Sequence, residues 1–130
     1  MPFPTPVEKL GERLVRDVRD FQLKVLLEIL TGESRAKGDK ILSEKLKELG
    51  ITSTEAQREA LRKLLVNAVD LAIGETLSFF EYHITVGNLD VVVRDRESGE
   101  SYRIKDTDMI AAEYSSGKGT WVDKYGEVRE

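Results

Sequence analysis

Glu81 and His83 are the sharpest chemical pair in this chain of 130 residues, because His83 is its sole histidine. On an extended backbone, positions two apart point to the same face, where a carboxylate and an imidazole can couple for acid–base work. Any histidine-based catalytic or metal site has this one residue to build on. A lone histidine where helix meets strand is more often structural or exposed, and Phe79, Phe80 and Tyr82 set this one beside an aromatic patch.

Two other constellations carry chemistry in principle. Asp106-Thr107-Asp108, with Asp95 and Glu113 as further oxygen donors, has the ligand type of a hard divalent cation. Asp and Thr also satisfy backbone groups locally in turns, which is the commoner use, so no metal ligand and no cofactor is assigned. The stretch Ser116-Gly117-Lys118-Gly119-Thr120 resembles a phosphate loop only superficially, since glycine rather than Ser or Thr follows the lysine. It reads as a hairpin tip.

Composition narrows the function classes. With 40% apolar and 34% charged residues, the chain fits one ordinary domain that buries roughly two thirds of its unfolded surface. There are no cysteines, which excludes disulfides, thiolate metal sites and cysteine nucleophiles and fits a cytoplasmic protein. The most apolar stretch, Leu64 to Ile73, is too short for a bilayer and contains Asn67 and Asp70, and the opening residues lack the pattern of a secretory signal, so no membrane association is expected. The formal net charge of −4 argues against a phosphate-dominated partner. Basic clusters such as Lys40, Lys45, Lys47 and Arg58, Arg62, Lys63 alternate with acids, as on solvated helix faces, and predict no nucleic-acid footprint. Residues 83–130 hold seven Lys/Arg against ten Asp/Glu, so acidity concentrates there.

The elements that must position these residues change character near His83. Thr5-Pro6-Val7-Glu8 has the form of a capping box, and Val7, Leu10, Leu14, Val18, Phe21, Val25 and Ile29 recur at helical steps up to a cap at Gly32. Opposite-charge pairs four apart, among them Glu12/Arg16, Arg13/Asp17, Arg16/Asp20 and Asp20/Lys24, predict a solvated face. Leu23, Leu26, Leu27 and Leu30 add a second stripe that either the core or a second subunit covers. A short helix follows over about 40–49, with Ile41, Leu42, Leu46 and Leu49 inward. Thr52 to Glu55 opens a third helix over 53–73 or longer, whose apolar arc is too wide for a surface helix and predicts a central position.

Beyond Phe79 the runs shorten. Ile84 to Val86, Leu89 to Val93, Ser101 to Ile104, Ile110 to Tyr114 and Thr120 to Asp123 read as strands, separated by glycine-containing turns. A hairpin with Gly99 left-handed in a three-residue loop pairs Arg96 with Glu100 and Val92 with Ile104. Tyr114, Trp121 and Tyr125 cap the open edge of the core. The expected fold is therefore a single α+β domain over 1–130. Helices at about 6–31, 40–49 and 53–73 pack on a C-terminal antiparallel sheet of four to five strands; 1–82 is mainly helical and 83–130 mainly β.

No catalytic set converges, and the leading functional reading is a non-catalytic cytoplasmic interaction domain, a small acidic inhibitor of the immunity or antitoxin kind. Its partner is a protein, a basic one by charge, met by a face containing Asp95, Glu97, Glu100, Asp106 and Asp108. Self-association through Leu23, Leu27 and Leu30 is part of the same reading. The rival is a small enzyme or ligand-binding pocket that uses His83 and Glu81, or a cation site at Asp106 and Asp108.

Overall fold

The computed structural model describes residues 3–115 and 117–129, so Met1, Pro2, Glu130 and Ser116 of the glycine-rich stretch lie outside the described residues. Helical backbone runs unbroken from Thr5 to Thr31 as α1 (Thr5–Arg13), a π-helical segment (Leu14–Asp20) and α2 (Phe21–Thr31), ending at Gly32 with a φ of 76°. Its buried face is Val7, Gly11, Val15, Arg19 and Leu23, a strict four-residue step. Four residues overshoot an α turn of 3.6 and undershoot a π turn, whose hydrogen bonds span i to i+5, so the two segments offset each other and one face stays inward. The predicted stripe is rotated in consequence. Val18 and Phe21 are exposed, while the glycine and the arginine point inside.

The predicted caps also shift. Pro4 rather than Thr5 is the N-cap of α1 and has no side-chain acceptor, and the Glu8 carboxylate, instead of reaching back to close a capping box, is occupied by Trp121 Nε1 at 3.3 Å, Tyr125 Oη at 2.8 Å and Lys124. Burial alone would raise the Glu8 carboxyl, but these donors outweigh it and hold it below its ordinary value. Burial and the bond to Glu8 push Tyr125 up to about 12.

Helix α3 (Lys37–Glu48) has no buried residue, and Ile41, Leu42 and Leu49, expected inward, are exposed. Helix α4 (Glu55–Thr85) is opened by a capping box two residues later than predicted: Thr54 Oγ1 accepts from Gln57 N, and Gln57 Oε1 accepts from Thr54 N, both at 3.1 Å. It continues through Gly74, where an added Cβ would meet nothing within 4 Å. Gly74→Ala is therefore expected to stabilise the protein by about 1 kcal/mol, read as a higher midpoint in urea or heat. A lower midpoint would contradict an uninterrupted helix there.

The predicted sheet of four to five strands is not formed. Its place is taken by one hairpin, β1 (Val92–Arg94) with β2 (Ser101–Arg103), followed by a 3₁₀ turn (Asp106–Asp108) and two short helices, α5 (Ile110–Ser115) and α6 (Trp121–Tyr125). Ile84 and Thr85 extend α4 and Val86 is its C-cap. Ile110 and Tyr114, four apart and both buried, flank Ala111 and Ala112, good helix formers, and the Glu81 carboxylate accepts from Ala111 N at 2.8 Å to hold the first turn. Trp121 and Tyr125 repeat that spacing in α6.

The hairpin register is one residue from the predicted one. Val92 pairs with Arg103, Val93 with Tyr102 and Arg94 with Ser101. Asp95 sets this: its main-chain N–H donates to Glu100 O, its carbonyl accepts from Gly99 N, and its carboxylate accepts from the main chain of Glu97 and Ser98, closing a four-residue loop. Gly99 is left-handed as expected, with φ 77°. The register turns Val91, Val93, Tyr102 and Ile104 toward the core and Val92 and Arg103 outward.

The core gathers Val7, Val15, Leu77, Ile104, Ile110, Tyr114 and Trp121. Trp121 and Tyr114 are wholly buried, so they form the core where the sequence suggested an edge cap. Behind them lies a polar cluster. Arg19 donates to Asp70 at 2.6 Å, to Asp20 at 2.8 Å and to the carbonyl of Val128 at 2.7 Å; Asp20 accepts from Glu127 N, and Tyr114 Oη donates to Asp70 at 2.8 Å. Burial, then the bond to Asp70, drives the Tyr114 hydroxyl far above its usual range. Of the leucines at the end of α2, Leu23 and Leu30 are buried within the domain and Leu26 and Leu27 are half-buried.

Candidate functional site

The structure gives Glu81 and His83 different local partners and places Asp106 and Asp108 in one 3₁₀ turn. Glu81 and His83 lie on α4, not on a strand, and two residues along a helix point to nearly opposite sides. Glu81 is spent on Ala111 N, as above, while His83 Nδ1 sits 3.1 Å from the Asn88 side-chain amide at the helix end. The aromatic patch is present: the His83 ring centroid lies 4.4 Å from that of Phe79 and 5.1 Å from that of Tyr82. Asp108 accepts from Tyr102 Oη at 3.0 Å and from Lys105 N at 2.6 Å, and Asp106 is exposed in the same 3₁₀ turn. Among the described residues, no three His, Cys, Asp or Glu side chains assemble as metal ligands.

Of the acidic residues assigned to a partner face, Glu97, Glu100 and Asp106 are exposed, whereas Asp95 is buried in its own turn. Lys9 Nζ bridges Asp95 at 2.9 Å and Glu97 at 3.1 Å, tying the hairpin to α1. Hydrogen bonds from Ser98 and Lys9 lower the Asp95 carboxyl from 3.8 to about 2. A carboxyl depressed on folding stabilises the native state fully above its unfolded value, and that contribution is lost as pH falls through the folded one. The melting temperature is thus expected to drop as pH falls from about 4 to about 2. Asp95→Asn should flatten that part of the profile, and an unchanged slope in the variant would contradict the assignment.

What the fold leaves open is the side of α4 that faces away from Val66 and Leu77, its buried residues. Leu64, Ala68, Leu71, Glu75, Ser78 and Tyr82 follow one another at steps of four and three along the helix, with Phe79 and Val86 flanking them. That is the spacing of a seam between paired helices. Leu71 is 65% exposed and Tyr82 63%, and Leu64, Phe79 and Val86 are open as well. Taking about 150–250 Å² for a full aromatic side chain as the scale, the stripe presents on the order of 500 Å² of apolar surface. That approaches the roughly 800 Å² which each partner contributes to a standard interface. Beside the seam, α4 and α5 enclose a pocket of about 370 Å³ lined by Asn67, Asp70, Leu71, Gly74, Glu75, Ser78, Ala111 and Ser115. Glu75 is exposed and gives this otherwise apolar face its negative charge.

Comparison with known protein families, curated proteins and solved structures finds no match to the chain. Among the described residues, no helix is long and apolar enough to cross a membrane. The seam residues were missed as a site because an apolar helix arc was assigned wholly to the core. The signal was present in the breadth of that arc, since a helix apolar nearly all round needs cover on both sides.

Proposed function

We propose that the protein is a non-catalytic cytoplasmic interaction domain that receives an apolar, basic segment of a protein partner on the outer face of α4. The observation that carries this reading is the open Leu64–Leu71–Tyr82 seam, a continuous apolar stripe at paired-helix spacing along one face of α4. Glu75 supports the basic character of the partner: a cation laid along the seam meets it at the α4–α5 pocket. A small neutraliser of the immunity or antitoxin kind is the concrete form, and the acidic hairpin with Glu97 and Glu100 then steers the partner at long range. An active pair of Glu81 and His83 has less support, since each is held by a different local partner.

Photo-crosslinking in the native host tests the proposal. Benzoylphenylalanine replaces Leu71 or Tyr82 on the seam and, as a control, Gln22 on the exposed side of α2. One protein should be captured from both seam positions and not from position 22, with its crosslinked peptide rich in apolar residues and Lys or Arg. Capture of the chain by itself would replace the partner by a second copy. No seam-specific product would overturn the proposal.

A further inference from the structure

The structure holds a second open apolar feature, on the other flank of α4. Leu10, Leu14 and Val18 of the first helical stretch, Ala72, Ile73, Thr76 and Phe80 of α4, and the hairpin residues Val91 to Arg94 line a cleft of about 600 Å³ that reaches the core at Leu77, Ile104 and Ile110. Neither Phe79 nor His83 lines it. Its volume falls in the range of small-molecule sites, roughly 300–1,000 Å³, and an apolar wall with few polar groups is their usual composition. Arg94 is the charged residue in the lining and Thr76 the hydroxyl. Thr76 Oγ1 donates its proton to Ala72 O at 2.8 Å, which leaves it only an acceptor toward the cleft. The ion pairs around the hairpin join Lys9 to Asp95 and Glu97, and Arg103 to Asp90; none among the described residues engages Arg94.

We infer that this cleft is a binding site for a single-chain anionic amphiphile, a monomeric fatty carboxylate, with the alkyl chain against Leu14, Ile73, Phe80 and Val93 and the carboxylate at Arg94. An alkyl chain matches a wall that offers it no hydrogen bonds. A guanidinium presents paired donors suited to a carboxylate, and at the edge of an apolar cleft it selects an anionic head over a cationic or neutral one. Each methylene that enters is worth about 0.8 kcal/mol, or close to fourfold in affinity, so binding should tighten steeply with chain length until the cleft is full.

The test is titration of the full chain with decanoate and dodecanoate below their micellar concentrations, by calorimetry and by the methyl resonances of Val93 and Ile73. Saturable one-to-one binding is expected, tighter for dodecanoate by about fifteenfold for its two extra methylenes, with dodecyltrimethylammonium at least tenfold weaker than dodecanoate. Arg94→Glu should reverse that preference and Arg94→Lys should keep it; Arg94 is exposed, and the melting temperature of each variant verifies folding. Ala72→Trp, at an exposed position on the rim, should block dodecanoate without unfolding the chain. Absence of saturable binding, equal affinity for the two head groups, or binding only to phosphatidylglycerol vesicles and not to monomeric dodecanoate would each overturn the inference.

Discussion

Arg19→Ala is expected to cost about 3–5 kcal/mol, a large share of a total stability that for a domain is of the order of 5–15 kcal/mol. The guanidinium is wholly buried and is the shared partner of Asp70, Asp20 and the carbonyl of Val128. Removing it leaves the Asp20 carboxylate buried without its cation and takes away one of the bonds, that to Val128 O, which tie the C-terminal segment to the first helical stretch. Its neighbour in sequence terms, Lys24, forms an exposed pair with Glu127 at 2.7 Å, and Lys24→Ala should barely move the urea midpoint, because solvent screens such a pair. Urea denaturation of the two variants side by side measures the contrast. Similar small losses would mean that the cluster around Arg19 is dispensable.

The second large effect is at Trp121. Its ring is wholly buried, packs tilted against Phe3 with centroids 5.8 Å apart, and lies over Gly11, where a Cβ would overlap the indole. Trp121→Ala is expected to cost about 3–5 kcal/mol through lost burial and the cavity it leaves. The glycine supplies an internal check. Gly11→Ala should destabilise the wild-type protein, since the indole must move, yet stabilise the Trp121→Ala protein, where the space is vacant and alanine is the better helix former by about 1 kcal/mol. A double-mutant cycle in urea reads this reversal of sign; the same sign in both backgrounds would contradict the packing.

These two sites also mark where the sequence is and is not legible. Helices ending at Gly32 and running past Ile73, the i,i+4 pairs Glu12–Arg16 and Arg13–Asp17, and a hairpin turning on a left-handed Gly99 all follow from local rules and are present. Asp20 was assigned by the same i,i+4 rule to the solvated face and is instead buried against Arg19, because a π-helical segment, which apolar periodicity does not announce, changes which residues share a face. The missing strands have another cause. Short segments such as 110–115 and 121–125 carry large apolar residues four apart, compatible with either period, and what decides them is tertiary: Glu81 reaching Ala111 N, and Gly11 making room for Trp121. For the site, the aromatic patch of Phe79, Tyr82 and His83 was legible from adjacency. The openness of the α4 seam was not, since an apolar residue looks the same in sequence whether its cover is its own domain or a partner.

The most direct measurement of the central claim is the affinity of the Leu71→Asp variant for the crosslinked partner, taken together with its melting temperature. Leu71 is mostly exposed, so the substitution should leave stability within about 0.5 kcal/mol of wild type. A carboxylate in the middle of an apolar contact loses its water without gaining a partner, and the affinity should fall at least tenfold. That result, with an unchanged melting temperature, is what an outer-face interface on α4 predicts; wild-type affinity in the folded Leu71→Asp protein would contradict it.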